Sequence, residues 1–412
     1  MKNANPMEEI YMEKQLEWTK HLDDTYYVNI FGDRIPVAFT HGKGSYLFST
    51  EGKRYLDMLG GIAVNSLGHA NPRLVKAIAG QAKKLIHCSS LYYISSQAEL
   101  ARKLVECTFA DRAFFCNSGS EANEAAIKLA RAYYYKKKAP RKKFITALQS
   151  FHGRTLASVT ATGQPKYNLP FGPLPEGFSY VPYNDIDAMR AAVDSNTCAV
   201  MLELIQGESG VIPADPVYIK AVREICTAAG VLLILDEVQT GTGRTGTLFA
   251  YEQFGIIPDI LTTAKGLAGG VPIGAMLVTE DAATAFVQGD HGTTFGGNPL
   301  AMTAALAVLE EIDHRNLLKN TQTVGAFIRK KLGHLQKKQG IITDIRGMGL
   351  LIGIELSSPI AVEVKKKCFE KGYLIGSIGA NVLRVAPPLI LSKREAASFV
   401  TALSEILGGY SS

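Results

Sequence analysis

The chain has 412 residues, of which 47% are hydrophobic and 20% are charged, and its formal net charge is +6. This length exceeds one typical core, so we expect two domains of a globular protein. The modest charge, the polar segment from Met1 to Lys20 and the lack of an apolar run of roughly 20 residues argue against nucleic-acid binding, secretion and membrane insertion. They predict a cytoplasmic location.

The six cysteines are scattered, and none forms a Cys-x-x-Cys pair. That spacing argues against a zinc site or a disulfide framework, and we predict no metal.

The first strand signals lie at residues 45–48 and 54–57. From about residue 110 to residue 300, short apolar runs then alternate with helical stretches. The predicted strands of this region are residues 113–116, 144–146, 199–204, 231–235, 260–263 and 273–278, and the predicted helices include 121–135 and 217–229. Such alternation predicts an α/β fold with a mainly parallel sheet that is covered by helices on both faces.

After Asn298-Pro299 a helical stretch at residues 301–313 leads into strand signals at 350–355 and 382–385. We predict that residues 66–300 form a large domain. Residues 1–65 and 301–412 are predicted to combine into a smaller α+β domain.

A predicted strand ends at Cys116, and a small-residue turn then leads into a helix. Ser118 and Glu121 fit the Ser-x-x-Glu capping box. The free backbone N–H groups at such a helix start can bind an anion, ideally a phosphate. Most capped helices bind nothing, so this segment alone is weak support for a phosphate site.

Phe151 and Arg154 follow the next predicted strand. The aromatic ring can stack on a flat ligand, and the guanidinium can bind a carboxylate with two hydrogen bonds. Taken alone, a core phenylalanine and a surface arginine explain the same residues.

Asp236 and Lys265 carry the main functional signal, because each follows a predicted buried strand. Ligands of parallel α/β sheets collect at the carboxyl ends of strands. Pyridoxal phosphate needs an amine for its aldehyde and an anion for its ring nitrogen. A helix cap and a solvated lysine are the ordinary explanations for each residue alone. The ordered set of all four segments favours the cofactor.

The run Gly241-Thr242-Gly243-Arg244-Thr245-Gly246 matches the G-x-G-x-x-G dinucleotide pattern. However, four residues separate Asp236 from the first glycine, and no clear helix begins after the last. A dinucleotide fingerprint belongs in the tight turn between a strand and a helix. We therefore expect these glycines to shape a loop by the active site, and a nicotinamide oxidoreductase remains a remote alternative.

In these motifs the chain resembles the class III pyridoxal-phosphate-dependent aminotransferases. The carriers of the resemblance are Gly-Gly-Ile-Ala-Val-Asn at 60–65, Phe-Cys-Asn-Ser-Gly at 115–119, Ser-Phe-His-Gly-Arg-Thr at 150–155, Asp-Glu-Val-Gln-Thr-Gly at 236–241, Lys-Gly at 265–266 and His-Gly-Thr-Thr-Phe-Gly-Gly-Asn-Pro at 291–299. The resemblance implies the aspartate-aminotransferase fold (fold type I), pyridoxal 5'-phosphate as cofactor, and a homodimer with its active sites at the subunit interface. One departure is Leu204, where the family usually has proline.

Residue roles also follow from the resemblance. It implies that Lys265 carries the cofactor and that Asp236 contacts its ring nitrogen. The other implied cofactor contacts are Ser118, Gly119 and Ser120 at the phosphate, Phe151 and Val238 on the two ring faces, Gln239 at the ring hydroxyl, and Thr294 at the phosphate of the neighbouring subunit's cofactor. The implied substrate contacts are Arg154, Thr293 and Arg384, with Glu208 as a switchable ion-pair partner of Arg384.

The implied activity is transfer of the terminal amino group of N-acetylornithine to 2-oxoglutarate, within arginine biosynthesis. Ornithine, succinylornithine and 4-aminobutyrate remain open as amino donors. A catabolic role and assembly beyond a dimer also remain open. We expect neither nucleic acid nor membrane as a partner.

Overall fold

The computed structural model describes residues 6–32 and 34–410. The strands are β1 (Phe39–Lys43), β2 (Tyr46–Ser49), β3 (Arg54–Asp57), β4 (Arg112–Cys116), β5 (Lys143–Ala147), β6 (Phe178–Val181), β7 (Thr197–Glu203), β8 (Ile205–Gln206), β9 (Ile212–Pro213), β10 (Leu232–Asp236), β11 (Ile260–Thr263), β12 (Gly274–Val278), β13 (Ile342–Met348), β14 (Leu351–Leu356), β15 (Tyr373–Leu374), β16 (Gly376–Ile378) and β17 (Val382–Val385).

The helices are α1 (Pro6–Tyr26), α2 (Gly60–Ala63), α3 (Pro72–Ala82), α4 (Ser95–Glu106), α5 (Gly119–Lys136), α6 (Leu156–Ala161), α7 (Pro165–Asn168), α8 (Ile186–Ala192), α9 (Pro216–Ala229), α10 (Tyr251–Phe254), α11 (Glu280–Ala283), α12 (Pro299–His314), α13 (Leu317–Gln339), α14 (Ala361–Glu370) and α15 (Lys393–Gly408). Short 3-10 turns span Leu169–Phe171 and Lys265–Ala268. Among the helices of the described ranges, none combines the length and apolarity needed to cross a bilayer.

A seven-stranded sheet in the order β4-β12-β11-β10-β7-β5-β6 forms the centre of the molecule. The pairs β5–β6, β5–β7, β7–β10 and β10–β11 are parallel, which confirms the predicted mainly parallel sheet. β12 runs antiparallel to both of its neighbours. The link from β11 to β12 is short and lacks the crossover helix that a parallel return needs. The edge strand β6 was not among the predicted strands.

Burial on both faces explains why β7, β10 and β11 are continuous apolar runs. Every residue of these three strands is buried. Leu233, Ile234 and Leu235 have no exposed surface, and each such side chain stabilises the fold by about 2 kcal/mol. Asp236 is the last residue of β10, where it is paired in register with Thr262 of β11. A rigid core therefore holds a carboxylate at the carboxyl edge of the sheet.

Helix α5 begins at the end of β4 because Ser118 caps it, with Oγ accepting the N–H of Glu121 at 3.2 Å. Its buried face is rich in alanine, including Ala122, Ala125 and Ala126. Of the two hydrogen bonds of the predicted capping box, the one accepted by Glu121 was predicted wrongly. The Glu121 carboxylate accepts the N–H of Asn117 at 2.6 Å, one residue before the cap, because the turn folds back over the helix start.

Two four-stranded sheets, in the orders β13-β14-β17-β16 and β1-β2-β3-β15, and a two-stranded sheet of β8 and β9 complete the fold. In the second sheet β15 pairs in parallel with β3, so that Tyr373 lies opposite Leu56. N-terminal and C-terminal segments therefore share one sheet. The domain boundaries at residues 65/66 and 300/301 stay predictions.

Candidate active site

A cavity of about 310 Å³ lies at the carboxyl ends of β10 and β11, beside the start of α5. It brings together residues that are far apart in sequence. The predicted cofactor-binding residues that line it are Ser118, Gly119, Ser120, Phe151, Asp236, Val238, Gln239 and Lys265. All of the predicted cofactor contacts except Thr294 thus meet at one place.

Three donors fix the Asp236 carboxylate. Its Oδ2 accepts the Asn123 side-chain amide at 2.8 Å and lies 2.8 Å from Nδ1 of His152, while Oδ1 accepts the N–H of Val238 at 3.0 Å. Asn123 is itself held by Thr262, whose hydroxyl donates to the amide oxygen at 2.6 Å. A carboxylate accepts hydrogen bonds and cannot donate, so Nδ1 of His152 carries the proton. These hydrogen bonds hold the Asp236 carboxylate at the wall of the cavity, where the residue is 5% exposed.

Glu203 is a second buried carboxyl group in the cavity wall. Burial and the neighbouring charge of Asp236 raise its pKa to about 8, although His152 acts in the opposite direction. Burial would lower the pKa of His152, but the hydrogen bond to Asp236 outweighs it and the pKa is raised. Glu203 Oε2 accepts the N–H of Phe151 at 2.9 Å. This acid therefore positions the backbone of the aromatic residue.

The raised pKa of Glu203 predicts that the protein loses stability as pH rises. The folded state binds a proton that the unfolded state releases near pH 4.5, so this contribution is lost up to about pH 8. In Glu203→Gln we expect the free energy of unfolding, measured by thermal unfolding, to depend less on pH. Its loss between about pH 5 and about pH 8 should be smaller than in the unmodified protein by on the order of a few kcal/mol. Glu280→Gln is the control, because Glu280 is exposed. The same pH dependence of unfolding in the unmodified protein and in both variants would contradict the prediction.

Lys265 lies at the start of a 3-10 turn with φ of +38°, a conformation rare for residues other than glycine. Such backbone strain persists where the surroundings over-determine it, often at functional sites. Here Ser66 Oγ donates to the carbonyl of Gly266 at 2.7 Å, and a Cβ atom at Gly266 would lie 2.8 Å from that hydroxyl. The turn after β11 thus directs the amine into the cavity.

The environment of Lys265 favours its neutral form. Burial lowers the pKa of the amine, and the charge of Arg384 adds to this, while Glu208 and Asp236 act in the opposite direction. A larger share of neutral amine at neutral pH makes the side chain a better nucleophile and base.

The start of α5 forms an end of the cavity that is suited to bind an anion. The first N–H groups of a helix, here those of Gly119 and Ser120, have no partner within the helix. A Cβ atom at Gly119 would lie 2.8 Å from the Val238 side chain, so glycine is needed there. The Ser120 hydroxyl accepts the N–H of Arg154 at 3.1 Å, which ties the two loops together.

Five predicted site residues do not line the cavity. Arg384 Nη1 lies 2.6 Å from Glu208 Oε1, and the Gln239 amide donates to the same oxygen at 3.2 Å, so this pair adjoins the cavity. Burial works to raise the pKa of Glu208, but the charges of Arg384 and Lys265 outweigh it and the pKa lies below its usual value.

The other three lie further out. Arg154 is exposed and stacks over the ring of Tyr167 at 4.3 Å. Thr293 accepts from Asn117 at 3.4 Å. Thr294 is exposed and does not contribute to the cavity of its own chain.

Sequence reasoning missed the supporting roles of Asn123, His152 and Glu203. Asn123 carried a usable signal, because it is a polar residue between Ala122 and Ala126 on the buried face of α5. A buried amide must find a partner, and here the partner is Asp236.

The comparison with protein families decides the identity. The family model described as aminotransferase class-III matches residues 27–407. The chain belongs to the class III aminotransferases. The predicted family and fold are thereby confirmed. It is 52% identical to the acetylornithine aminotransferase of Caldanaerobacter subterraneus subsp. tengcongensis over 94% of this chain and 97% of that protein. It is 49% identical to that of Methanocaldococcus jannaschii over 93% of this chain and 96% of that one.

Solved structures agree with this family. The ornithine aminotransferase from Toxoplasma gondii ME49 superposes with a TM-score of 0.91 at 32% identity, covering 99% of both chains. The acetylornithine aminotransferase from Elizabethkingia anophelis superposes with a TM-score of 0.86 at 33% identity, covering 95% of this chain and 98% of that one. Another Toxoplasma gondii ornithine aminotransferase structure is described as having partial occupancy of PLP at its active site.

The residues of the cavity fit pyridoxal phosphate. The buried Oε1 of Gln239 has no hydrogen-bond partner within the described residues, and Gln239 lines the same cavity as Asp236 and Lys265. An acid for the ring nitrogen, an amine for the aldehyde and a helix start for the phosphate surround one cavity. This class III aminotransferase uses pyridoxal phosphate, as predicted. The glycine run at 241–246 does not line the cavity, so nothing favours the nicotinamide alternative.

Proposed function

We propose that this aminotransferase transfers the terminal amino group of N-acetylornithine to 2-oxoglutarate, giving N-acetylglutamate semialdehyde and glutamate, within arginine biosynthesis. The Glu208–Arg384 ion pair beside the cavity carries the proposal. One site must accept a terminal amine and then an α-amino acid, and a maskable arginine allows both. The names and high identity of the acetylornithine aminotransferase relatives support this choice of donor.

We assign the cofactor contacts as the family motifs imply. Bound pyridoxal phosphate supplies an electron-withdrawing ring that stabilises negative charge on the substrate carbon. Lys265 attaches it and then moves a proton to and from the substrate carbon that bears the amine. Asp236 holds a proton at the ring nitrogen through a charge-assisted hydrogen bond. The remaining contacts are Ser118, Gly119 and Ser120 at the phosphate, Phe151 and Val238 on the ring faces, and Gln239 at the hydroxyl.

Substrate selection follows from the ion pair. While Glu208 neutralises Arg384, this guanidinium attracts no carboxylate, which suits the terminal amino end of the donor, because the carbon that bears the terminal amine has no carboxylate. When glutamate or 2-oxoglutarate enters, its α-carboxylate replaces Glu208 on the guanidinium with two parallel hydrogen bonds. We assign Arg154 and Thr293 to the other substrate groups, because both lie on loops beside the cavity.

We propose a homodimer in which Thr294 reaches the phosphate site of the partner. An exposed apolar surface adjoins this residue and includes Leu91, Tyr92, Tyr93 and Phe295. Large apolar patches of this kind mark protein interfaces. Light scattering on the purified protein should give twice the mass of the chain. A cytoplasmic location stays a prediction.

A kinetic panel tests the proposed function. N-acetylornithine, ornithine, succinylornithine and 4-aminobutyrate are compared as donors with 2-oxoglutarate as acceptor. We expect the highest kcat/KM for N-acetylornithine. A higher value for any other donor would reassign the substrate within the family.

Removing the carboxylate of Glu208 tests the switch. In Glu208→Ala the Arg384 guanidinium is permanently free, so α-carboxylates bind more readily and terminal amines are disfavoured. We expect the ratio of kcat/KM for α-amino groups to that for terminal amines to rise about tenfold, equivalent to about 1.4 kcal/mol. The rates of the two amine classes are measured with glutamate and N-acetylornithine. An unchanged ratio would contradict the switch.

A further inference from the structure

The glycine-rich run that resembles a dinucleotide fingerprint forms a constrained loop, Gly241 to Gly246, which we name the glycine loop. Thr242 has φ of +53°, which is an outlier for a β-branched residue. Its Cβ atom lies 3.5 Å from the position that a Cβ would take at Gly266, next to Lys265. On its other side the loop meets the C-terminal part, where a Cβ at Gly243 would lie 2.8 Å from the Leu389 side chain. The loop therefore lies between the reactive lysine and the C-terminal strands.

Arg244 in this loop is a buried cation whose partners are carbonyl groups. It is 2% exposed, and no carboxylate of the described residues forms an ion pair with it. Its Nη1 donates to the carbonyl of Leu350 at 3.1 Å and to the carbonyl of Pro387. In return the N–H of Leu350 donates to the Arg244 carbonyl at 3.0 Å. Burial lowers the pKa of Arg244 to about 10, although the charge of Asp57 acts in the opposite direction, and the guanidinium stays charged at neutral pH.

A charge in this position is expensive, because burying an ion costs several kcal/mol unless its surroundings compensate. An apolar side chain of similar volume would fill the same space without that cost. The structure therefore points to a role that needs the directional donors of the guanidinium. That role is to hold two carbonyl groups from separate segments at fixed positions.

The contact to Pro387 matters because this residue follows β17, the strand that carries Arg384. Residues 386–391, which we name the proline segment, lack backbone N–H groups at Pro387 and Pro388. Backbone hydrogen bonds hold the segment at Ala386, which donates to Met58, and at Leu389, which donates to Ser66. Arg244 supplies the contact between these two points.

We propose that Arg244 is a positioning residue for the 2-oxoglutarate and glutamate half-reaction, holding the proline segment so that Arg384 faces the substrate carboxylate. The inference rests on the proposed function, in which Arg384 acts in that half-reaction and is masked in the other. A guanidinium clamp on a carboxylate depends strongly on geometry, so a displaced strand end weakens binding without removing any contacting group. The donor half-reaction depends less on Arg384 and should be largely spared.

The test compares kcat/KM for the two substrates in holoenzyme carrying Arg244→Met or Arg244→Lys. In ping-pong kinetics each kcat/KM reports its own half-reaction. For Arg244→Met we expect kcat/KM for 2-oxoglutarate to fall by about 30-fold and that for N-acetylornithine by less than about threefold. Arg244→Lys keeps the charge but has a shorter reach, so we expect partial rescue, mainly through KM for 2-oxoglutarate.

The matched control is Arg329→Met. Arg329 Nη1 donates to the carbonyl of Gly349 at 3.0 Å, next to Leu350 and away from the proline segment. It should lower thermal stability and leave the ratio of the two kcat/KM values unchanged. If Arg244→Met lowers both values equally, or neither, the positioning role is overturned and Arg244 is a structural residue.

A further variant covers the case in which both Arg244 variants fail to fold. Asn320 holds the same proline segment through the carbonyls of Leu389 and Leu391, at 2.6 and 3.1 Å. Asn320→Ala should give a smaller but equally selective loss for 2-oxoglutarate, and an unselective loss would overturn the inference. If the unmodified enzyme fails to transfer the amino group to 2-oxoglutarate, the proposed function fails instead, so the two failures are distinguishable.

Discussion

Lys265→Ala is expected to lower kcat by at least about 10³-fold, because the change removes the amine that we propose as both the covalent anchor and the proton carrier. The amine is buried, its pKa is lowered by burial, and its turn is fixed by the bond from Ser66 to Gly266. Among the described residues Lys265 is the lysine that lines the cavity, so no other amine is placed to substitute. Steady-state rates with the preferred donor and 2-oxoglutarate measure the effect.

Borohydride reduction followed by peptide mapping gives an independent readout for this prediction. In the unmodified enzyme the cofactor should be trapped on Lys265, and in the variant no peptide should be labelled. Lys128→Ala is a suitable control, because this lysine is exposed and donates to the carbonyl of Asp290 away from the cavity. The assignment fails if the label is found on another lysine or if Lys265→Ala keeps more than a few per cent of the rate.

Asp236→Asn should lower kcat by about 10²- to 10³-fold, the usual loss when a preorganised electrostatic partner is removed. The amide is nearly isosteric with the carboxylate and can still accept the N–H of Val238. It cannot keep a positive charge on the ring nitrogen, because its own charge is gone. Since Asp236 contributes more than Glu203 to raising the pKa of His152, that pKa should also fall in the variant.

The control for Asp236→Asn is Asp259→Asn. Asp259 lies just before β11, toward the opposite end of the sheet, where it pairs with Arg223 and accepts the N–H of Leu233. This change should reduce stability and leave kcat within about twofold, because Asp259 is half-buried away from the cavity and its loss acts mainly on folding. Cofactor absorbance and the His152 NMR titration separate the two variants. Equal kinetic losses would show that the role of Asp236 is structural.

The strands and the two main site residues were predictable from local patterns. Buried parallel strands read as apolar runs, and their carboxyl ends meet at one edge, so Asp236 and Lys265 could be placed near each other before the structure was known. The reversed direction of β12 was not predicted, since apolar runs carry no information about direction. The capping-box prediction was partly wrong for a similar reason. The spacing of Ser118 and Glu121 does not determine which backbone N–H the Glu121 carboxylate accepts.

Hydrogen bonds between polar residues that are far apart in the sequence could not be predicted from local sequence patterns. Asn123 reaches Asp236 across 113 positions, and Arg244 reaches Leu350 and Pro387 across 106 and 143 positions. From its sequence the glycine loop could be judged only against the dinucleotide pattern, which gives no indication that its arginine donates to these two carbonyls. The raised pKa of Glu203 likewise depends on burial by segments from across the chain.

The parallel pairing of β3 with β15 has a consequence for biosynthesis on the ribosome. Strand β3 ends at Asp57, but its partner Tyr373–Leu374 is translated only after all seven strands of the large sheet. One edge of β3 therefore stays unpaired while the large sheet is translated. An unpaired strand edge can pair with another chain and promote aggregation. The arginine-bearing strand β17 follows β15 in the sequence, so a nascent chain acquires Arg384 only after the whole of the large sheet has been translated.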